Sequence, residues 1–257
     1  MSKIKNRVRL RQNFLTPITG PIKRKPFAVF DIETTTDLEK AFLVGFYDGQ
    51  EYKRFDVYDS DKDESTPYFP ESREGCISQF LTWLFSAKQY TKYWLYAHNG
   101  GNFDFLYLIR WLMDHGEEFS IEAIPIQSSI LSITVRRKDD RQGKWKWTFL
   151  DSFRLMNASL EKLGQALVGE GKVRDIDYET LHQNSVRYDY LKQDCILLYK
   201  CLDRFYDIII NSGGEIGMTA PSTAMKSFRR MHLTKWIPIN RCFPNCDCSK
   251  DDELETE

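Results

Sequence analysis

Three groups of side chains in this sequence could do chemistry. The first lies in "FAVFDIETTT", Phe27 to Thr36, where an apolar run meets two acids, Asp31 and Glu33, one residue apart. On a strand, alternate side chains share a face, so both carboxylates point one way while Ile32 enters the opposite layer. Two ionised carboxylates side by side repel, and near a core they also lose hydration. Either the strand ends in water and both acids are solvated, or a divalent cation with oxygen ligands compensates them. The stretch alone leaves both readings open. The second group is "YAHNGGNFDFLYL", which runs from an apolar strand through His98, Asn99 and two glycines into a helix with Asp104 in its first turn. Asp104 gains there from the positive end of the helix whether or not it has a further role. The third is "YDYLKQDCILLYKCLDRF", where Tyr190 and Asp194 stand one helical turn apart beside an apolar stripe of Leu191, Cys195, Leu198, Leu202 and Phe205.

The elements that must carry these groups are legible as patterns. "AFLVGFYD" and "EYKRFDVY" read as two strands turning at "DGQ", followed by a polar loop over 59–75. A helix over "CISQFLTWLFSAK" and a strand over "KYWLYAHN" lead to a helix over "FDFLYLIRWLMDHG" that ends at Gly116. Alternation in "SILSITVRR" and "WKWTFLD" predicts a hairpin, and "ASLEKLGQAL" a short helix with Ser159 as its cap. A long helix spans about 186–211. Mixed strands and helices of this kind predict an α/β layered fold with a mixed central sheet.

At 257 residues, 42% hydrophobic and 28% charged, the chain is long enough to bury a substantial core. It has no apolar run of spanning length and no secretory leader, so an intracellular protein with no membrane partner is expected. Six scattered cysteines fit free thiols in a reducing compartment. The net charge of -1 hides a basic start: Lys3, Lys5, Arg7, Arg9, Arg11, Lys23, Arg24 and Lys25, with no acid among residues 1–25. That segment reads as an electrostatic arm for nucleic acid, a solvated tail or a targeting segment. Near the other end, Cys242, Cys246 and Cys248 offer a zinc site of non-standard spacing, against the simpler reading of unpaired thiols.

Taken together and in order, "DIET", "HNGGNFD" and "YLKQD" resemble the three-part exonuclease signature of family B DNA polymerases, D-x-E, N-x-x-x-F-D and Y-x-x-x-D. The sequence is most similar to the protein-primed branch of that family. Thr34 after D-x-E, Asp151-Ser152, "DIDY" at Asp175 to Tyr178, and "MTAPSTAMKSF", which looks like the join to a polymerase palm, add to the likeness. The resemblance implies a ribonuclease H-like fold, a mixed sheet flanked by helices. It implies an organisation of basic arm (1–25), 3′→5′ exonuclease domain (26–215) and C-terminal extension (216–257). It further implies that Asp31, Glu33, Asp104 and Asp194 bind two divalent ions, magnesium or manganese, with Tyr190 orienting the attacking water or the phosphate. No histidine stands at the Tyr190 position, the nearest upstream being His182, which implies the tyrosine subclass. Thr34, Asn99 and Phe103 match positions that hold the 3′ end of single-stranded DNA, and His98 stands beside them. Ser152 matches a DNA-binding serine, but Phe153 replaces the leucine that follows it in the family. Tyr178 matches a site tyrosine, and the usual lysine five residues before it is Val173, flanked by Lys172 and Arg174.

The palm motifs D-x-x-S-L-Y-P and D-T-D do not occur, so this chain is not expected to synthesise DNA. The expected activity is release of 5′-mononucleotides from single-stranded DNA ends, in trans to a separate polymerase or as part of a split one, with terminal protein a further partner. A non-catalytic module that binds single-stranded DNA or a polymerase, and an RNA exonuclease, are the competing readings.

Overall fold

The computed structural model describes residues 13–35, 40–57, 75–173, 176, 177, 179, 181 and 185–239. The first part of the basic arm, Arg174, Tyr178, most of the loop over 59–75 and the three C-terminal cysteines lie outside the described residues. The elements run β1 (Asn13–Leu15), β2 (Phe27–Thr34), β3 (Ala41–Tyr47), β4 (Tyr52–Asp56), α1 (Cys76–Ser86), β5 (Trp94–Ala97), α2 (Asp104–Asp114), β6 (Phe119–Ile126), β7 (Ser129–Arg137), β8 (Lys146–Asp151), α3 (Leu160–Leu167), α4 (Val186–Asn211), α5 (Ala220–Met231) and β9 (Ile237–Ile239).

Seven strands form one mixed sheet in the order β4-β3-β2-β5-β8-β7-β6. Its centre is parallel, β2 beside β5 and β5 beside β8, while the outer pairs are antiparallel. The central strands are apolar because both of their faces are covered. In β2, Phe27, Ala28, Val29, Phe30 and Ile32 are all buried, each larger side chain contributing roughly 1.5–3 kcal/mol. Phe27 packs against Tyr199 and Tyr206 of α4. Phe30 packs against Phe80 of α1 and Phe105 of α2. Odd-numbered β2 residues therefore face α4, and even-numbered ones face α1 and α2.

The expected mixed sheet with helices on both sides is what the chain forms. Several details differ from the sequence reading. β6 had not been anticipated: it is an edge strand, exposed along most of its length, whose register shifts between Ile124 and Pro125. Proline is tolerated there because an edge residue has no second neighbour to donate to. α5 is likewise additional, and Thr219 caps it by accepting from the Ser222 N–H in a capping box. Ser159 occupies the N-cap position of α3 but makes no side-chain capping hydrogen bond. On α4 the stripe is completed by the fully buried Tyr206, while Phe205 is only half-buried.

Part of the basic segment is built into the fold. β1 pairs antiparallel with β9. Arg24 pairs with Asp203 and, at 2.7 Å, with Asp207 on α4, so its charge is used internally.

Candidate active site

The acids come together where β2 and β5 end. Asp31 and Glu33 leave β2 on the face that α4 covers. Asp104 is the first residue of α2, on the other side of the sheet, and is 1% exposed. Its Oδ1 accepts the backbone N–H of Ile32 at 3.1 Å, which ties the second motif to the residue between the two acids of the first. The turn that makes this possible is tight. Asn99 sits in the left-handed region at φ 62°, a conformation that asparagine tolerates better than most residues. A Cβ on Gly101 would collide with the Ile130 carbonyl and the Ser129 hydroxyl, so only glycine lets β5 turn into α2 here.

On the other face, α4 brings Tyr190 and Asp194, each 3% exposed. Gly45 of β3 stands opposite Asp31 in the antiparallel register. A Cβ there would lie 2.9 Å from Cys195 Sγ and from Leu191 Cγ. The bare glycine lets α4 close onto the sheet level with Asp31, and so sets how near Asp194 comes to it.

Among the described residues, Lys172 brings a cation to the site. Lys172 Nζ lies 2.6 Å from Asp194 Oδ2 and donates to the Tyr190 hydroxyl at 2.8 Å. The stretch carrying it is anchored at several points. The Lys172 N–H donates to Glu161 of α3, the Glu170 N–H to the Gly164 carbonyl, and Lys200 grips the Glu170 carboxylate at 2.6 and 2.8 Å. The sequence left open whether a basic side chain beside Val173 reaches the site. Lys172 reaches the acids, whereas Val173 is an exposed surface residue.

Crowding acids in a poorly hydrated place raises their pKa values. Burial pushes Asp31 up to about 7, with repulsion from Asp194 adding and Lys172 opposing. Burial, then Asp31 and Asp194, push Glu33 up to about 8. Burial holds Asp104 well above the ordinary carboxylate range, and Asp194 is also raised by burial, against the pull of Lys172 and Tyr190. Among the described residues, no three His, Cys, Asp or Glu side chains stand close enough as placed to hold one ion. The donor chemistry nevertheless fits a divalent cation. Four oxygen-bearing acids share the end of the sheet, their ionisation is suppressed by burial and by one another, and the buried Oδ1 of Asp194 has no hydrogen-bond partner.

The other expected residues fall around this point in two kinds. Thr34, Phe103 and Phe153 are part-exposed at its rim, and Asn99 is exposed. Asn99 accepts from Asn102 at 2.7 Å, and Phe103 packs edge-on to Tyr107. His98 and Ser152 are turned inward. The two His98 ring nitrogens meet Ser152 Oγ at 2.9 Å and the Ala158 carbonyl at 3.0 Å, and Ser152 is fully buried. Burial lowers the His98 pKa, so the ring is neutral, with Nε2–H donating to Ala158. These hydrogen bonds brace the strand ends; Ser152 is enclosed, while His98 keeps part of its ring exposed. Gly45 and Glu161 escaped the sequence reading: one is a glycine within an apolar strand, the other an acid in a first helical turn, a position common for dipole reasons alone.

Comparison with known proteins bears on what this arrangement is. Residues 86–188 match the family described as DNA polymerase type B, organellar and viral. A DNA-directed DNA polymerase of Enterobacteria phage PRD1 is 28% identical over 224 residues, covering 84% of this chain and 32% of the relative. Over residues 86–188 the chain is similar to the type B DNA polymerases. A DNA polymerase of Bacillus phage M2 is 26% identical over 248 residues, covering 91% of this chain and 38% of that polymerase. The chain thus spans about a third of the length of the DNA polymerases it matches. Phi29 DNA polymerase complexed with single-stranded DNA superposes with a TM-score of 0.58 at 20% identity, over 79% of this chain and 35% of that one. The same polymerase complexed with primer-template DNA and incoming nucleotide gives 0.59 at 20% identity, over 80% and 34%. The fold is accordingly the ribonuclease H-like one expected of this family. No described helix is long and apolar enough to cross a membrane.

Proposed function

We propose that the protein is a 3′→5′ exonuclease that removes nucleotides from single-stranded DNA ends. The observation that carries this reading is the meeting of the three motifs: Asp104 accepts the Ile32 N–H from α2, while Asp194 approaches Asp31 from α4 on the opposite face. Asp31, Glu33, Asp104 and Asp194 would hold divalent cations, magnesium or manganese. Such ions, when bound, supply Lewis acidity toward a phosphoryl oxygen and acidify a water.

The chain's own residues do the rest. Tyr190 is fixed between Lys172 and Asp194, so its hydroxyl can orient a water or a phosphate oxygen. Lys172 places an ammonium where negative charge builds on the phosphate, the kind of preorganised contact that is strong in a site closed to water. Phe103 and Phe153 at the rim can stack on bases without sequence preference, and Thr34 and Asn99 can bind the terminal sugar and phosphate. With the reach of its relatives in mind, the chain would act beside a polymerase, as a proofreader in trans or as one piece of a split enzyme, inside a host cell.

One observation favours a second reading. The acids as placed form no ready cage, and Lys172 already neutralises Asp194. A module that binds single-stranded DNA with Lys172 as permanent counter-ion would look the same.

A 5′-labelled oligonucleotide incubated with magnesium or manganese separates the two. Shortening from the 3′ end by the wild type, abolished in Asp31→Ala/Glu33→Ala, supports the exonuclease. Binding without cleavage by folded, metal-supplied protein supports the module. Matched RNA and DNA oligomers decide the sugar.

A further inference from the structure

At the opposite end of the parallel strands lies a second charged feature that the exonuclease reading does not use. A cleft of about 690 Å³ is lined by Lys88, Gln89, Thr91, Lys92, Gly143, Lys144 and Lys146. Lys92 lies just before β5 and Lys146 opens β8, and β5 and β8 run parallel from there toward the acids. All four lysines are exposed, and among the described residues none has a carboxylate within salt-bridge distance.

The nearest acids on the same hairpin are already engaged. Asp139 is held by Arg137, and Asp140 accepts the backbone N–H groups of Gln142 and Trp145. A fifth cation, Lys25, stands close enough for Lys146 to depress its pKa, after burial as the main cause. Cations gathered without acids are held at a cost in repulsion that a polyanion would relieve.

Aromatic rings stand among these charges. Lys88 Nζ lies 5.9 Å from the Trp145 ring, Arg137 is 5.2 Å from the same ring, and Lys25 Nζ is 5.9 Å from Trp94. Both tryptophans are only part-buried. Interleaved cations and flat rings suit a nucleic-acid strand, whose phosphates pair with the lysines while its bases stack. A small anion would need the charges but not the rings.

We infer that this lysine cleft is a second, sequence-independent binding site for a nucleic-acid strand, distinct from the acid cluster and at the far end of the same strands. It needs no metal and does not rest on cleavage. The test uses the full chain in chelator and reads fluorescence anisotropy of labelled oligothymidylates. One is about twenty nucleotides long, beyond the usual single-strand footprint, and the other about four. Lys88→Gln/Lys92→Gln/Lys144→Gln/Lys146→Gln changes only exposed side chains, so circular dichroism should show an unaltered fold.

The expected result is at least a roughly tenfold weaker grip on the long strand. The slope of log affinity against log salt should flatten by about 2–3, for four lost phosphate contacts. Binding of the short oligomer should change little. Unchanged affinity and slope for the long strand in the quadruple variant would overturn the inference. So would wild-type binding of inorganic triphosphate as tight as that of the long strand, which would reassign the cleft to a small polyanion. Asp31→Ala/Glu33→Ala serves as the converse control: loss of cleavage with long-strand binding intact separates this site from the proposed catalytic one.

Discussion

The two ends of the central parallel strands carry opposite charge and manage it in opposite ways. At the carboxyl ends, Asp31, Glu33, Asp104 and Asp194 are crowded into a poorly hydrated space, and their ionisation is suppressed. At the amino ends, Lys88, Lys92, Lys144 and Lys146 stand exposed around an open cleft and keep ordinary hydration. The acidic end is built: a glycine turn, a helix terminus, a close-packed α4 and an anchored lysine all converge on it. The basic end is a surface with little supporting structure. Precision of placement belongs with bond-making chemistry, where small displacements cost large factors. Loose placement suffices for a salt-dependent grip on a backbone.

The comparison breaks most readily at the acids. Asp31→Ala/Glu33→Ala should lower cleavage of a labelled strand by roughly a thousandfold, the scale of losing major charge stabilisation, while strand binding in chelator persists. Full-rate cleavage by this variant would remove the acidic end from catalysis. Next comes the built-in cation. Lys172→Met should slow turnover by about a hundredfold with little change in thermal midpoint, and Val173→Lys should neither help nor rescue it. Rescue by Val173→Lys would mean that the two residues trade places on binding substrate. The quadruple cleft variant should show a smaller effect, about tenfold, confined to long strands.

Smaller again is the effect of helix approach. Gly45→Ala forces a methyl against Cys195 and Leu191, and should cost about 1–3 kcal/mol in chemical denaturation as overpacking does. Its activity should fall more than its stability alone explains, because Asp194 is carried away from Asp31. Last is a pH effect on the metal-free fold. The folded state holds Asp31 near 7 and Glu33 near 8, above their unfolded values, so it keeps protons that the unfolded chain releases. The sign follows: this contribution is intact at low pH, and stability is lost as pH rises from about 4 through 8. In chelator the thermal midpoint should drop by several degrees across that range. Asp31→Asn/Glu33→Gln should flatten the slope, and magnesium or manganese should lift the wild type most at the alkaline end. A flat wild-type profile would show that the acids are solvated after all.

Much of this was legible in the sequence because it is periodic. The strand period puts Asp31 and Glu33 on one face, and the helical period puts Tyr190 one turn from Asp194. What escaped depends on contacts between distant segments. Nothing local shows whether a basic neighbour of Val173 reaches the site; the anchors at Glu161 and Glu170 bring Lys172 to Asp194. Gly45 looks like a weak point in a strand until α4 is seen to lie on it. β6 lacks a clean alternation because most of its side chains face solvent on both sides, and Pro125 argues against a strand until its edge position is known. The clustering of Lys88, Lys92, Lys144 and Lys146 is invisible because β5, α2, β6 and β7 intervene between the two pairs.

The small ribbon of β1 and β9 gives the fold a mechanical character. Asn13 pairs with Ile239 and Leu15 with Ile237, so the chain enters before residue 13 and departs after residue 239 at the same end of the ribbon. Tension applied through those two flanks would open the pairs one after another, like a zipper, and would not shear them together. Two short strands have little independent stability, so the ribbon would part under a pull that leaves the seven-stranded sheet untouched. Anything tethered at either flank could therefore gain slack without disturbing the acids.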